Sequence, residues 1–104
     1  MKRGEVWWYE PPNAKRRPVL ILTRDEAIGR VHDVIAIPAT GTIRRLDTEV
    51  EIGVADGMPI ECALAIDSTL SAEKPFLTNR LTTLGPDRIA EVCSKLVAAT
   101  GCGR

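Results

Sequence analysis

One apolar stretch near the start of the chain directly follows three cations. Residues 15–23 read KRRPVLILT, with no alternation of polar and apolar positions after the proline. Because such a strand is buried on both faces, it predicts the centre of a small sheet. We therefore expect the N-terminal end of a rigid core strand to hold the three cations Lys15, Arg16 and Arg17. Pro18 favours an extended backbone there. A guanidinium held in this way suits a phosphate, although cations also commonly flank buried strands without binding a ligand.

The first strand carries bulky side chains on both of its faces. Val6 and Trp8 point one way, and Trp7 and Tyr9 point the other. One face is expected to meet the core and the other a partner subunit or a bound base, with complete burial as the alternative. The short turn over residues 10–14 predicts a hairpin between the first two strands.

Four later segments also have strand patterns: residues 32–39, 46–52, 60–66 and 76–84. Pro38 is expected to mark the end of its strand or a sheet edge. The alternation in the second of these segments places Asp47, Glu49 and Glu51 together on one solvated acidic side.

The C-terminal segment has the pattern of an amphipathic helix. Pro86 suits the first helical position, Asp87 suits the positive end of the helix dipole, and Gly101 suits the end of the helix. Six residues at helical spacing form its apolar face: Ile89, Val92, Cys93, Leu96, Val97 and Thr100. Short strands followed by one helix favour a mainly β (α+β) fold, a compact, strongly curved antiparallel sheet or small barrel with a C-terminal helix.

The composition limits the class of protein. With 104 residues, of which 44% are hydrophobic, the chain is expected to form a single domain over residues 1–104. No charged leader precedes a long apolar segment, which predicts a soluble, cytoplasmic protein without membrane contact. Three widely spaced cysteines and one histidine argue against a disulfide framework and a zinc site, and neither a metal nor another cofactor is expected.

Charge is distributed unevenly along the chain. The net charge is zero, but residues 1–45 contain nine Lys or Arg and five Asp or Glu, whereas the remaining residues contain five and nine. A folded domain can therefore present a basic face without being a basic protein. Residues 41–45, which include Arg44 and Arg45, form a mobile, hydroxyl-rich and basic loop that suits phosphate contacts, or else an ordinary hairpin loop.

Two polar residues come directly after apolar strands. Thr40 follows the third strand, and Asp67 follows the apolar run that ends at Ile66. An acid in this position is held rigidly and is expected to be partly desolvated, unless it simply caps the turn. No Walker loop, dinucleotide fingerprint, metal-ligand cluster or nucleophile elbow occurs in the sequence. The residues alone therefore indicate a small β-rich domain with a candidate phosphate-binding face.

Several segments together resemble the MazF/PemK/Kid toxins of bacterial toxin–antitoxin pairs. They are KRGEVWW at the start, RRPVLILT, VIAIPAT, ECALAIDS and the helix GPDRIAEVCSKL, in the family's order and over nearly the whole chain. The resemblance implies an SH3-like barrel with a C-terminal helix. It also implies a homodimer that cleaves single-stranded RNA at short sequences without a metal, and a cognate antitoxin whose disordered tail occupies the RNA groove.

The resemblance also assigns functional residues. Arg17 matches the family's arginine before proline, Thr40 the hydroxyl residue that ends the third strand, and Asp67 a later acid. Glu10 matches the acid of the first loop only loosely, because this loop is shorter here. One branch of the family has a loop histidine and an arginine two residues before the later acid, whereas this chain has no such histidine and has Ala65. The implied catalytic residues are Arg17, Thr40, Asp67 and Glu10, and the candidate RNA-binding residues are Lys15, Arg16, Arg44 and Arg45.

This assignment suits a reaction in which the RNA is cleaved by its own 2′-OH. For such a reaction a protein needs to position the phosphate, move protons and stabilise charge. Arg17 is the expected charge stabiliser and Thr40 a hydrogen-bond donor, while Glu10 or Asp67 carries a proton. The competing expectation is a non-catalytic toxin on the same barrel. The related CcdB toxins poison a DNA topoisomerase and would depend on C-terminal residues instead. The RRP segment and Thr40 together favour the ribonuclease.

Overall fold

The computed structural model describes residues 1–103, which form seven strands and two α-helices. The strands are β1 (Glu5–Tyr9), β2 (Arg17–Ile21), β3 (Asp33–Thr40), β4 (Glu49–Ile52), β5 (Cys62–Ala65), β6 (Leu70–Glu73) and β7 (Leu77–Thr83). The helices are α1 (Asp25–Ile28) and α2 (Pro86–Thr100). Three short 3₁₀ turns cover Val54–Asp56, Ile66–Ser68 and Lys74–Phe76.

The strands form one antiparallel sheet in the order β4-β5-β3-β2-β1-β7, with β6 also paired to β3. β1 and β2 form the expected hairpin, in which Val6 lies opposite Leu20 and Tyr9 opposite Arg17. Within residues 1–103 no pairing joins β4 to β7, so the sheet stays open. The predicted fold class, an antiparallel sheet with a C-terminal helix, is confirmed, with an open sheet in place of a closed barrel.

Strand β2 lies inside the sheet and contributes to two apolar clusters. Val19 and Ile21 belong to one cluster, whereas Leu20 and the following Leu22 belong to the other, and each of the four is at most 8% exposed. This alternation confirms that the strand is buried on both faces. Helix α2 packs on the cluster that contains Leu20, which we call the helix-side core, and its Val92 is fully buried there.

Strand β1 also contributes to both clusters. Val6 is fully buried in the helix-side core, and Tyr9 is 7% exposed in the opposite cluster. The Tyr9 hydroxyl accepts a hydrogen bond from the Glu73 amide at 3.4 Å. Trp7 and Trp8 are only half-buried. The prediction that one face of this strand stays available to a partner subunit or a base is therefore wrong for Tyr9, because the second cluster covers its ring.

Strand β3 changes its neighbour part-way along. Residues 33–36 pair with β6, whereas Ala39 and Thr40 pair with β5. Pro38 lies between the two pairings, so it marks a local edge and not the end of the strand. The Ile35 carbonyl faces β2. Because backbone groups alternate in direction along a strand, the Pro38 nitrogen faces the opposite side, where the pairing passes from β6 to β5. Because proline has no N–H, the missing neighbour leaves no donor unpaired there.

Strand β4 begins at Glu49, later than the alternating pattern predicts. Glu49 is 7% exposed, so it does not share a solvated side with Asp47 and Glu51, which are exposed. The same alternation places Leu46 on the opposite side of the predicted strand, away from the acidic residues, but Leu46 is 50% exposed. The prediction is wrong at Glu49 and Leu46 because residues before β4 form a loop, where a period of two no longer decides burial.

Three further elements lie close to their predicted positions, whereas strand β6 was not predicted from the sequence. β5 and β7 fall within predicted strand segments, and α2 begins at Pro86. It ends before Gly101, whose φ of 71° is the left-handed conformation that glycine adopts most easily. Val97, predicted on the apolar face of α2, is 46% exposed. No helix within residues 1–103 is long and apolar enough to cross a membrane.

Candidate active site

Two adjoining clefts share Arg17, Ala39 and Thr40, and each has a volume of about 450 Å³. The first, which we call the main cleft, is lined by Arg17, Pro38, Ala39, Thr40, Thr42, Arg44, Leu46, Thr48, Glu49, Ala65, Asp67 and Ser68. The second, the tryptophan cleft, is lined by Trp8, Ala14, Lys15, Arg16, Arg17, Pro18, Ala39, Thr40 and Gly41. The three shared residues therefore lie where one cleft passes into the other.

Arg17 and Thr40 are brought together by the antiparallel pairing of β2 and β3. Val19 lies opposite Pro38, so the same register two residues further along places Arg17 opposite Thr40. Arg17 is the first residue of β2 and is exposed. Within residues 1–103 no carboxylate lies within salt-bridge distance of its guanidinium. Its charge and its fork of donors are therefore available to a ligand.

Thr40 ends β3 and presents a hydroxyl that is already fixed on one side. Its Oγ1 accepts a hydrogen bond from the Thr42 amide at 3.2 Å. No acceptor in the described part of the chain takes the hydroxyl proton, so the group can donate to a ligand. Thr40 therefore adds a second donor beside Arg17.

Asp67 lies in the 3₁₀ turn between β5 and β6, where β3 changes its neighbour. The Ile66 amide donates to the Thr48 carbonyl at 3.0 Å, which ties this turn to the segment before β4. The Thr48 hydroxyl donates to the Asp67 carboxylate at 2.5 Å. Asp67 is exposed, so the predicted partial desolvation is wrong for the isolated chain. Its carboxylate lines the main cleft as an accessible proton acceptor.

The loop over residues 41–48 forms one wall of the main cleft and includes Thr42 and Arg44. Arg44 is exposed and, among residues 1–103, has no carboxylate within salt-bridge distance. Glu49 Oε1 accepts hydrogen bonds from the amides of Arg44 at 3.0 Å and Leu46 at 3.4 Å. Residues 41–45 of this loop, which were expected to be mobile, are thus tied to a buried carboxylate through the Arg44 amide.

The tryptophan cleft combines an aromatic ring with cations. The guanidinium carbon of Arg16 lies 3.9 Å from the centroid of the Trp8 ring, a cation–π contact. Arg16 also lies near Glu10, with 3.8 Å between Nη1 and Oε1. Lys15 lines the same cleft. An aromatic ring beside cations suits a nucleotide, because the ring can stack on a base while the cations reach phosphates.

The carboxyl groups with shifted pKa values lie outside both clefts. Burial by itself would raise the pKa of Glu5, but hydrogen bonds from Trp7, a backbone amide and Arg80 lower it overall. Hydrogen bonds from Arg88 lower the pKa of Asp56, with 3.0 Å between Nε and Oδ1. Within residues 1–103 no group of three or more His, Cys, Asp or Glu is arranged to hold a metal ion.

Comparison with known proteins assigns the family. A family model of PemK-like, MazF-like toxins of type II toxin–antitoxin systems matches residues 2–99. The chain belongs to this family. It is 41% identical over 103 residues to the probable endoribonuclease MazF5 of Mycobacterium tuberculosis strain H37Rv, in an alignment that covers 98% of this chain and 94% of that protein.

Solved structures give the same result for the MazF-like fold. The M. tuberculosis toxin MazF-mt6 has a TM-score of 0.85 at 25% identity, over 93% of this chain and 96% of that one. An endoribonuclease in complex with its cognate antitoxin, from mycobacterial species, has a TM-score of 0.85 at 24% identity, over 97% of this chain and 95% of that one. The family resemblance inferred from the order of motifs is confirmed.

The MazF-like fold brings together most of the predicted site residues. Six of them line one or both clefts: Lys15, Arg16, Arg17, Thr40, Arg44 and Asp67. Glu10 and Arg45 line neither cleft. Glu10 instead accepts a hydrogen bond from the Thr78 hydroxyl on β7. Arg45 lies near Glu51, with 3.8 Å between Nε and Oε2.

The clefts of this MazF-like chain also contain residues that the sequence patterns did not single out. Glu49 was missed because alternation placed it on a solvated side, and no local signal reveals its burial. Thr48 and Ser68 become neighbours of the cleft only through sheet pairing. Trp8 had a usable signal, because the predicted hairpin brings its strand beside the basic cluster, and in the structure Trp8 lies opposite Pro18.

Proposed function

We propose that residues 1–104 act as one domain, an endoribonuclease toxin that cleaves single-stranded RNA at short sequences. Its substrates would be mRNA, tRNA or rRNA, and cleavage would inhibit translation and growth. The observation that carries the proposal is Arg17, without an ion-pair partner among residues 1–103, beside the Thr40 hydroxyl at the junction of two clefts. The M. tuberculosis relative named as a probable endoribonuclease supports it.

The proposed reaction uses a nucleophile that RNA itself carries. The ribose 2′-oxygen forms a bond to the adjacent phosphorus, while the bond from phosphorus to the 5′-oxygen of the next nucleotide breaks. One proton leaves the 2′-hydroxyl and one reaches the departing 5′-oxygen. The products are one RNA that ends in a 2′,3′-cyclic phosphate and another that begins with a 5′-hydroxyl. This reaction requires no oxidant, reductant or water molecule.

Arg17 and Thr40 would stabilise the charge that develops on the phosphate. The guanidinium offers two parallel hydrogen bonds to non-bridging oxygens, and its position at the start of a core strand keeps the fork in place. The Thr40 hydroxyl, whose oxygen is fixed by the Thr42 amide, donates to the same phosphate. Donors fixed before the reaction need not reorganise during it.

Asp67 is the carboxylate best placed to move a proton. It lines the main cleft with Arg17 and Thr40, whereas Glu10 lines neither cleft. The Thr48 hydroxyl holds one oxygen of Asp67, which leaves the other for the substrate. Glu10 would act on the Arg16 side of the site, where it shares a loose ion pair.

The RNA strand would run through both clefts, with the reacting phosphate at their junction. Lys15 and Arg16 would contact phosphates on one side of Arg17, and Arg44 on the other. Trp8 would stack on a base of the strand, with Arg16 moving from its ring or stacking with it.

The protein would act in the cytoplasm, where its RNA substrates are, as a homodimer controlled by an antitoxin. A structural neighbour is described as an endoribonuclease in complex with its cognate antitoxin, which supports such a partner here. Pairing would give this small domain more buried surface and a longer groove. We expect the antitoxin to compete with RNA for the clefts, and light scattering to show a dimer.

Incubation of purified protein with a long RNA and a chelator tests the proposed function. Wild-type protein is expected to shorten the RNA to discrete fragments, each with a 5′-hydroxyl and a 2′,3′-cyclic phosphate end. Intact RNA at high protein concentration would contradict the proposal. Inhibition of a DNA topoisomerase in place of RNA cleavage would support the alternative, a CcdB-like poison, which the endoribonuclease names of the relatives do not favour.

A further inference from the structure

A buried carboxylate lines the main cleft beside the loop over residues 41–48. Glu49 is 7% exposed, and its Oε1 accepts hydrogen bonds from the amides of Arg44 and Leu46. Leu46 in turn accepts a hydrogen bond from the Glu49 amide through its carbonyl, at 3.0 Å. These hydrogen bonds close the loop on the first residue of β4 and set the backbone that carries Arg44.

Helix α2 holds the other end of the same loop. Lys95 Nζ donates to the carbonyls of Asp47 and Glu49, both at 3.0 Å. Between these anchored positions, Arg45 adopts a φ of 56°, a conformation that costs free energy for a residue other than glycine. The loop therefore needs interactions that compensate for this cost, and Glu49 and Lys95 supply them.

A carboxylate in the wall of a cleft for a polyanion needs an explanation. Its negative charge opposes phosphate binding, so a carboxylate is expected there only if it does something that a neutral side chain does less well. Accepting two amide hydrogen bonds is such a task, because ionised acceptors form stronger bonds than neutral ones. The carboxylate thus fixes the conformation of the loop, and through this conformation it affects how tightly the cleft binds a ligand.

We propose that Glu49 is a positioning residue for RNA binding. Glu49 holds the loop over residues 41–48 so that Arg44 is presented to the main cleft before RNA arrives. The inference rests on the proposed ribonuclease function. A loop already in its bound conformation loses less conformational freedom on binding, so affinity is higher than for a loop that RNA must order. Lys95 supports the same conformation from α2.

A double-mutant cycle on RNA binding tests this role. The probe is a single-stranded oligonucleotide with the sequence around a mapped cleavage point and a 2′-deoxy sugar at that point, so that it binds without reacting. Glu49→Ala is expected to raise Kd by about tenfold, the ratio that corresponds to one charge-assisted hydrogen bond. Arg44→Ala is expected to weaken binding much less in the Glu49→Ala background than in the wild type, since the two residues act as a unit.

Three further variants separate positioning from a general effect on the fold. Glu49→Gln keeps an acceptor oxygen for the loop amides, but a neutral and therefore weaker one, and is expected to restore only part of the affinity that Glu49→Ala removes. Glu73→Ala is the matched control, because Glu73 ends strand β6, is exposed and lines neither the main nor the tryptophan cleft. It is expected to bind as the wild type does. Lys95→Met removes the anchor on α2 and is expected to weaken binding in the same direction as Glu49→Ala.

The outcomes distinguish this inference from the function on which it rests. Folded Glu49→Ala that binds as tightly as the wild type, or an Arg44→Ala effect that is the same in both backgrounds, would overturn the positioning role alone. If Glu49→Ala does not fold, Lys95→Met takes its place in the cycle and the same criteria apply. Wild-type protein that neither cleaves long RNA nor binds the oligonucleotide would overturn the proposed function, and the inference with it.

Discussion

Two pairs of arginines in this protein differ in their partners. Arg17 and Arg44 line the main cleft, and within residues 1–103 neither has a carboxylate at salt-bridge distance. Arg80 and Arg88 lie outside it and are engaged: Arg80 donates to buried Glu5 at 3.2 Å, and Arg88 contacts two carboxylates. A guanidinium already paired contributes to the fold, whereas one left without a partner is available to a ligand.

The two groups should therefore respond differently to substitution. The lowered pKa values of Glu5 and Asp56 mean that their ionised forms are stabilised by the folded state. Removing such a pair lowers stability without touching the clefts. Removing an arginine of the main cleft breaks no ion pair among residues 1–103 and should lower activity alone.

The largest effect is expected at Arg17. Arg17→Ala should lower the rate of RNA cleavage by at least about 10²–10³, the cost of removing a preorganised donor to a developing charge. Its melting temperature should stay close to that of the wild type, because the side chain is exposed and has no ion-pair partner among residues 1–103. Single-turnover cleavage and thermal melting measure the two quantities.

Two companions make the Arg17 result specific. Arg17→Lys keeps the charge but loses the two-pronged geometry, so it should restore little activity. Arg24→Ala is the control, because Arg24 is exposed, pairs with Glu26 at 3.4 Å and lines neither cleft. Near-normal cleavage by both Arg17 variants would end the assignment.

Asp67→Asn should lower the cleavage rate by about 10²-fold or more if the carboxylate moves a proton. Glu10→Gln should have a smaller effect, since Glu10 lines neither cleft. The comparison uses single-turnover rates at one pH. A larger loss of rate in Glu10→Gln would reverse the assignment, and unchanged rates in both variants would exclude proton transfer by either carboxylate.

Thr40→Val should lower the rate by about 10²-fold, by analogy with the removal of an oxyanion donor. Thr40→Ser keeps the hydroxyl and should cleave at nearly the wild-type rate. If the Thr40 hydroxyl only accepts the hydrogen bond from the Thr42 amide and caps the turn, the two variants would differ in melting temperature and not in cleavage rate.

Substitutions in the loop should affect binding more than chemistry. Arg44→Ala should weaken binding of the uncleavable oligonucleotide and reduce the salt dependence of log Kd by about 0.7 for each phosphate that is no longer neutralised. Arg45→Ala should have less effect, because Arg45 lines neither cleft and lies near Glu51. Equal slopes for the two variants would show that Arg45 also reaches the RNA.

The smallest effect concerns the paired arginines, where Asp56→Asn should lower stability and not cleavage. The loss of about 1 kcal/mol corresponds to roughly 4–8 °C in Tm for a domain of this size. Because the pKa of Asp56 lies below its ordinary value of 3.8, this stabilisation is present above that value and is lost as the pH falls through the folded-state pKa. The difference in Tm should therefore shrink in strong acid, and a difference that persists there would rule out the ion pair as its cause.

Much of the fold follows from local patterns, because burial on both faces and helix ends leave signals in consecutive residues. The unbroken apolar run of β2 predicts its position inside the sheet, and Pro86 and Gly101 predict the limits of α2. Arg17 and Thr40 are similarly accessible to prediction. Once β2 and β3 are taken as antiparallel neighbours, the start of one strand lies beside the end of the other.

Other parts of the site depend on interactions between distant segments. Whether β3 changes its neighbour at Pro38 is decided by the pairing of β5 and β6, which no local pattern reveals. Glu49 is buried because the loop before it folds back onto its side chain, so the alternating pattern assigned it wrongly. The separation of Arg44 from Arg45 likewise follows from the left-handed backbone at Arg45.

Mapping of RNA-induced changes in amide NMR signals tests most directly the claim that the arginines of the main cleft bind RNA and the paired arginines do not. With the uncleavable oligonucleotide, we expect the largest changes at Arg17, in residues 39–49 and in residues 65–68. Signals around Asp56 and Arg88 should stay nearly unchanged. Large changes confined to the Asp56 and Arg88 region, with none at Arg17 or Thr40, would contradict the account.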